Sequence, residues 1–361
     1  MERSFYSKGI ENVEPKKIRQ RGITIGRLLI GEKNCITDVQ GVKVGHVTLD
    51  CPLNEGEYAC TGVTAILPHG GNLFQQKVVG ASYILNGFGK TTGLIQVNEL
   101  GLIESPIMLT NTFGIPAVTH GTLEYMLESN PEIGESTGTI NIVVGECNDS
   151  RLNSIRKFQV QPKHAIECIQ SASSETSPEG AIGAGKGMIC FGYKGGIGSS
   201  SRIIQDSDSV YTIGCMVLSN FGKKEEFQAT RYLVNEMKEI PDFPKTADGS
   251  IMIVFATDAP LSNRQLTRLA KRCGVGLGRT GSHFSNGSGD IVIAFSTANQ
   301  IQHNSKTSVE TGQQLRDDHP IMNDLFQGVA EVTEEAILNS LSQAVTTTGR
   351  KGTVVYPYPF E

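Results

Sequence analysis

Apolar residues along this chain fall in short bursts, most of them only four to eight residues long. Ile251–Ala256 (IMIVFA), Asp290–Phe295 (DIVIAF), Gly62–Leu67 (GVTAIL), Ile107–Thr110, Ile140–Val144 (INIVV), Ile189–Phe191 and Tyr211–Leu218 are rich in β-branched side chains. They do not alternate with polar residues, as a strand with one wet face would. Such runs predict strands buried on both sides. A helical period replaces this pattern at Gly121–Glu128, Lys223–Met237 and Asp324–Ser342. In the last of these Leu325, Val329, Ile337, Leu338 and Leu341 take the apolar positions.

One helix carries its own start signal. Ser262 with Gln265 three residues on makes a capping box, and Leu261 and Leu266 are spaced as a hydrophobic staple. Leu266, Leu269, Ala270 and Cys273 continue that face, and Gly274 predicts its end. Residues 171–186 read as a loop, and Pro241, Pro244, Asp248 and Gly249 mark a break. No repeat or linker divides the chain. The pattern predicts one layered α/β unit of central strands covered by helices.

Composition narrows the function. The chain has 361 residues and a net charge of −5, with 38% hydrophobic and 19% charged residues. That is a globular composition without the basic excess of a general nucleic-acid binder. No apolar run approaches the ~20 residues of a spanning helix, and the N-terminus lacks a secretory apolar region. A cytoplasmic protein with no membrane contact is expected. The eight cysteines contain no CxxC pair and the seven histidines are scattered. Neither disulfides, a metal nor a cofactor is expected.

Three segments imitate known sites. Gly180–Gly187 resembles a phosphate loop, but Gly187 stands where Ser or Thr should hold magnesium, and no strand precedes it. It reads as a close-packing glycine loop. Gly274–Gly278 resembles half a dinucleotide fingerprint, yet it follows a helix instead of opening one. Cys147 beside Glu146 has no histidine near it in sequence and reads as an incidental thiol.

The segment Asp248-Gly249-Ser250 stands directly before the strand at 251. On residues alone it is either a turn or a scissile bond. If the Gly249–Ser250 bond is cut, the α-amine of Ser250, with an ordinary pKa of ~8, becomes a general base for its own hydroxyl. Glycine before the serine leaves the backbone free to bring that hydroxyl to the preceding carbonyl.

Nearly the whole chain, from about residue 17 onward, resembles the P1 family of self-processing aminopeptidases, which includes L-aminopeptidase/D-Ala-esterase/amidase and the β-peptidyl aminopeptidases. The resembling segments occur in order: NCITDVQGVKVGHV at 34–47, GVTAILPHGGNLF at 62–74, NGFGK at 86–90, ELGLIESPIMLTNT at 99–112 and VVGECND at 143–149. They continue with GAGKGMICFGYKGGIGSSSR at 183–202, SNFG at 219–222, DGSIMIVFATDAPL at 248–261, NGSGD at 286–290 and TEEAILN at 333–339.

The resemblance implies a four-layer α/β/β/α sandwich of the N-terminal-nucleophile hydrolase kind. It implies cleavage between Gly249 and Ser250 into pieces 1–249 and 250–361, with Ser250 as nucleophile. Asn220 matches the oxyanion-stabilising amide, and Glu146 matches the carboxylate that holds the substrate's free ammonium. Ser288 matches a second serine beside the nucleophile. Asp290 orients Ser288 or the new amine from a position where the family usually has glutamate. Arg151 stands on the substrate side, where an aromatic residue is common. The expected substrates are short peptides, amides or esters, without cofactor or metal, in a homotetramer. Acyl transfer to an amine, as in ornithine acetyltransferases, and a non-catalytic binding member of the fold are the alternatives.

Overall fold

The computed structural model describes residues 14–207, 209–232 and 249–360. Its strands are β1 (Lys43–Pro52), β2 (Tyr58–Leu67), β3 (Gln76–Gly87), β4 (Leu102–Ile103), β5 (Ile107–Asn111), β6 (Val143–Cys147), β7 (Ile189–Cys190), β8 (Tyr193–Lys194), β9 (Gly196–Gln205), β10 (Val210–Asn220), β11 (Ser250–Thr257), β12 (Gly289–Gln302), β13 (Thr347–Thr348) and β14 (Val354–Val355). The helices are α1 (Leu94–Leu100), α2 (Ile115–Ser129), α3 (Pro162–Gln170), α4 (Asn263–Thr280) and α5 (Ile321–Ser342). Six strands form a sheet in the order β4-β3-β12-β11-β10-β9, and four form a second in the order β1-β2-β5-β6.

The unbroken apolar runs have a simple cause. On β11, Ile251, Ile253 and Phe255 point into a core shared with Leu266 and Leu269 of α4 and Ile337 and Leu341 of α5. The alternate residues Met252, Val254 and Ala256 point the other way, against Ile66, Ile107, Leu109 and Val143 of the four-stranded sheet. That sheet's outer face sets Val63, Ala65, Met108 and Val144 against Val118 and Met126 of α2 and Ala165 and Cys168 of α3. The layers therefore run α4–α5, six strands, four strands, α2–α3. This is the expected α/β/β/α sandwich. With both faces of β11 out of water, each large aliphatic side chain contributes ~2 kcal/mol.

The predicted cap of α4 is present. Ser262 accepts from the Gln265 amide, Gln265 Oε1 accepts from the Ser262 amide at 3.0 Å, and Leu261 and Leu266 are buried together. Its predicted end is corrected: the helix runs through Gly274 to Thr280 and is capped by Gly281 at φ 120°. Gly276 serves packing instead. A methyl group on Gly276 would stand 2.4 Å from the Ala330 carbonyl oxygen of α5, so the absent side chain lets the two helices touch.

The helix predicted at Lys223–Met237 is also corrected over its described part. Residues 224–226 and 229–231 are separate 3-10 turns, and 233–237 lie outside the described residues. The Gly183–Gly187 segment is a buried 3-10 turn whose Lys186 pairs with Asp50 at 2.7 Å. No helix among the described residues is long and apolar enough to cross a membrane.

Candidate active site

Ser250 opens β11. Its cross-strand partner on antiparallel β10 is Asn220, the last residue of that strand. Residues directly opposed in this way have Cβ atoms about 5 Å apart on one face, so serine and amide stand side by side. Gly249 is required by the same pairing. A methyl group there would fall 1.9 Å from the Asn220 carbonyl oxygen. Only glycine lets the residue before Ser250 lie against β10.

Asn220 is buried and its amide has one orientation. Oδ1 accepts from the Ile189 amide at 2.9 Å, and Nδ2 donates to the Asn148 carbonyl at 3.0 Å. A main-chain N–H can only donate and a carbonyl can only accept, so the two contacts fix which end is nitrogen. One Nδ2 hydrogen is left for a further acceptor.

On its other side β11 runs parallel to β12, with Ile251 in register with Asp290. The turn leading into β12 brings one main-chain donor to the serine and sets Ser288 against Asp290. The Gly289 amide donates to Ser250 Oγ at 3.0 Å, and Ser288 Oγ donates to Asp290 Oδ1 at 2.5 Å. Asp290 Oδ2 is buried with no hydrogen-bond partner among the described residues. Burial pushes the Asp290 carboxyl up to about 6, opposed by the Ser288 hydroxyl and the Ile251 amide. The turn is pinned by Asn86 at the end of β3, whose Nδ2 donates to the carbonyls of Ser285 and Ser288.

Glu146 comes from the other sheet, on β6, and is 3% exposed. Its Oε1 accepts from the Lys90 amide at 2.9 Å and its Oε2 accepts from the Thr112 hydroxyl. No cation among the described residues is paired with it, so its negative charge is met only by neutral donors. A methyl group on Gly89 would stand 3.8 Å from both Glu146 Oε1 and the Gly289 Cα. One glycine thus separates the carboxylate from the turn that holds the nucleophile's oxygen.

The structure brings Ser250, Asn220, Ser288 and Asp290 together, with Gly249 against Asn220 and Glu146 across Gly89. Arg151 is half-buried on the turn at Asp149–Asn153, next along the chain from the Asn148 carbonyl that Asn220 grips. Cys147 is wholly buried. Burial and the Glu146 charge push its thiol well above the ordinary range, as expected of an incidental cysteine and not a nucleophile. Among the described residues no group of three or more His, Cys, Asp or Glu side chains is arranged to hold a metal ion.

Sequence reasoning missed the Gly289 amide, Asn86, and the Lys90 and Thr112 donors. Their segments NGFGK, TNT and NGSGD are visible, but which atoms they offer is settled only by the fold.

Residues 34–355 match the family model described as Peptidase family S58. The chain belongs to peptidase family S58. It is 37% identical over 348 residues to the beta-peptidyl aminopeptidase BapA of Sphingosinicella microcystinivorans, covering 91% of this chain and 86% of that protein. The PH0078 protein of Pyrococcus horikoshii OT3 superposes with a TM-score of 0.87 at 47% identity, over 95% of this chain and 96% of the other. L-aminopeptidase D-Ala-esterase/amidase from Ochrobactrum anthropi, described as a variant of the Ntn hydrolase fold, superposes with a TM-score of 0.85 at 31% identity over 96% of each chain. This S58 chain is accordingly a hydrolase of the aminopeptidase kind, with an Ntn-hydrolase-like fold.

Proposed function

We propose that this S58 aminopeptidase activates itself by cutting its own Gly249–Ser250 bond and then uses Ser250 as an N-terminal nucleophile. The pairing of Ser250 with Asn220, with the Gly289 amide on the serine oxygen, carries the reading. In self-cleavage, Ser250 Oγ attacks the Gly249 carbonyl and the C–N bond to Ser250 breaks. The nitrogen takes a proton, and water then hydrolyses the ester. The products are a Gly249 carboxylate and a free Ser250 amine. Asp290 Oδ2, buried and unpaired, is the acceptor available to that amine.

In turnover the amine takes the Ser250 proton as Oγ attacks the substrate carbonyl. Asn220 Nδ2 donates to the oxyanion, a contact worth ~3 kcal/mol. The proton passes to the leaving amine, and water releases the acyl group. Ser288, held by Asp290, orients the centre. Glu146 holds the substrate ammonium, which confines cleavage to the first residue, and Arg151 lies on the substrate side.

The substrates are short peptides, amides or esters with a free amino terminus. A homotetramer in the cytoplasm is the accompanying expectation. Exposed apolar side chains such as Ile95 and Leu100 of α1, 90% and 59% exposed, support the oligomer alone, whose mass light scattering reads.

The test of the reaction is a panel of α- and β-aminoacyl p-nitroanilides and their N-acetylated forms. Release from free-amine substrates alone supports the reading. Equal release from acetylated ones contradicts it.

A further inference from the structure

Lys194, at the end of β8, is wholly buried, and among the described residues no carboxylate pairs with it. Its Nζ donates instead to three main-chain carbonyls: Gly185 at 2.9 Å, Met188 at 2.8 Å and Gly195 at 2.7 Å. All three ammonium protons are used. An ammonium taken out of water is costly, and a methionine would fill nearly the same volume without that cost. What the charge holds is therefore informative.

The Met188 carbonyl and the Ile189 N–H are the two ends of one peptide unit. The carbonyl end is gripped by Lys194 Nζ and by the Gly195 amide at 3.1 Å. The N–H end donates to Asn220 Oδ1 at 2.9 Å. A cation on the carbonyl polarises the peptide and strengthens its N–H as a donor. The β7–β8 pairing of Ile189 with Lys194 keeps the lysine beside that unit. The Ile189 contact is one of two that fix which end of the Asn220 amide is free to face an oxyanion.

We propose that Lys194 is a positioning residue for Asn220, acting through the Met188–Ile189 peptide. It touches neither substrate nor the reacting atoms. Its charge holds a peptide, the peptide holds the amide oxygen, and the amide nitrogen is thereby aimed. Burial lowers the Lys194 pKa to about 7, and the ammonium is the form that can donate to all three carbonyls at once. The inference rests on the oxyanion role proposed for Asn220.

A double-mutant cycle tests it, with Lys194→Met, Asn220→Ala and the pair. The readouts are kcat and KM on an aminoacyl p-nitroanilide, and the rate at which the fragment beginning at Ser250 appears. Lys194→Met is expected to lower kcat about tenfold or more while KM stays within about twofold. In the Asn220→Ala background the same change lowers kcat by less than about twofold, because the group it aims is gone. If Lys194→Met does not fold, Lys194→Gln, which keeps an NH2 donor, replaces it in the cycle with a smaller loss.

Wild-type kcat in a folded Lys194 variant overturns the inference. So does an equal loss in both backgrounds, which marks a general structural role. In both cases an impaired Asn220→Ala leaves the Asn220 reading standing. An unimpaired Asn220→Ala removes that reading and this inference together.

Discussion

Asn220 and Ser250 are direct cross-strand partners, the last residue of β10 against the first residue of β11. The amide is clamped at both ends, by the Ile189 N–H and the Asn148 carbonyl. The serine oxygen is held from the opposite side by the Gly289 amide. Donor and nucleophile thus sit on rigid strands of the six-stranded sheet, where small displacements are resisted by packing on both faces.

Replacing Asn220 by alanine should lower kcat by about 10²–10³ with little change in KM, since the amide acts on charge that exists only in the transition state. Steady-state kinetics on an aminoacyl p-nitroanilide checks this. An equal rise in KM would instead mark Asn220 as a ground-state binding group.

Glu146→Gln keeps the shape of the site but removes the charge that pairs with an ammonium. KM for free-amine substrates should rise about tenfold or more. Discrimination against N-acetylated substrates should shrink by a similar factor. Thr112→Val, which removes only one donor to the same carboxylate, should have a smaller effect in the same direction.

Gly249→Ala forces a methyl group onto the Asn220 carbonyl. The residue before the serine must then move away from β10. The variant should process at least about tenfold more slowly on a denaturing gel. Processing at the wild-type rate would mean that the close approach has no bearing on the cut.

Two buried carboxyls set the pH dependence. Asp290 is raised to about 6 chiefly by burial, so it is protonated below that pH and ionised above. The ionised form is the one that accepts from Ser288 and awaits a positive amine. Self-cleavage of freshly translated chain should fall as pH drops through about 6, and Asp290→Asn should remove that limb. In the mature enzyme the amine must be unprotonated to take the Ser250 proton, so the acid limb of kcat/KM should follow the Ser250 α-amine, whose ordinary pKa is ~8.

Asp149, fully buried, is raised from 3.8 to about 7, mainly by burial, against hydrogen bonds from Thr61 and Asn153. The folded chain binds this proton more tightly than the unfolded chain does. Its contribution to stability is therefore present at low pH and lost as pH rises towards about 7. Asp149→Asn can still accept from Asn153. Its Tm should fall less between pH 5 and 8 than that of the wild type, by about 3 °C, as read by scanning calorimetry. An identical fall in both proteins would contradict this.

The burial of the central strands was legible in the sequence because strands buried on both faces cannot alternate, and 251–256 and 290–295 do not; the four-layer order was implied by the family resemblance. The capping box of α4 was legible because it is a local hydrogen-bond pattern. Gly274 misled because a glycine that ends a helix and one that admits a neighbouring helix look alike without the neighbour. β3 and β9 carry polar and small residues (QKVVGASYILNG and GIGSSSRIIQ) whose burial comes from tertiary partners. One example is Ser199, whose hydroxyl donates to the Cys215 carbonyl. Ser250, Asn220, Glu146, Ser288 and Asp290 were named from the family resemblance. The main-chain donors around them were beyond reach, because a backbone amide has no letter of its own.

The most direct measurement is the intact mass of the purified wild-type protein beside Ser250→Ala. Cleavage after Gly249 predicts two wild-type species of 249 and 112 residues, the smaller beginning at Ser250, and a single uncut 38.9 kDa chain for the variant. An active wild type of full-length mass, or a Ser250→Ala chain cut at the same bond, would contradict the account.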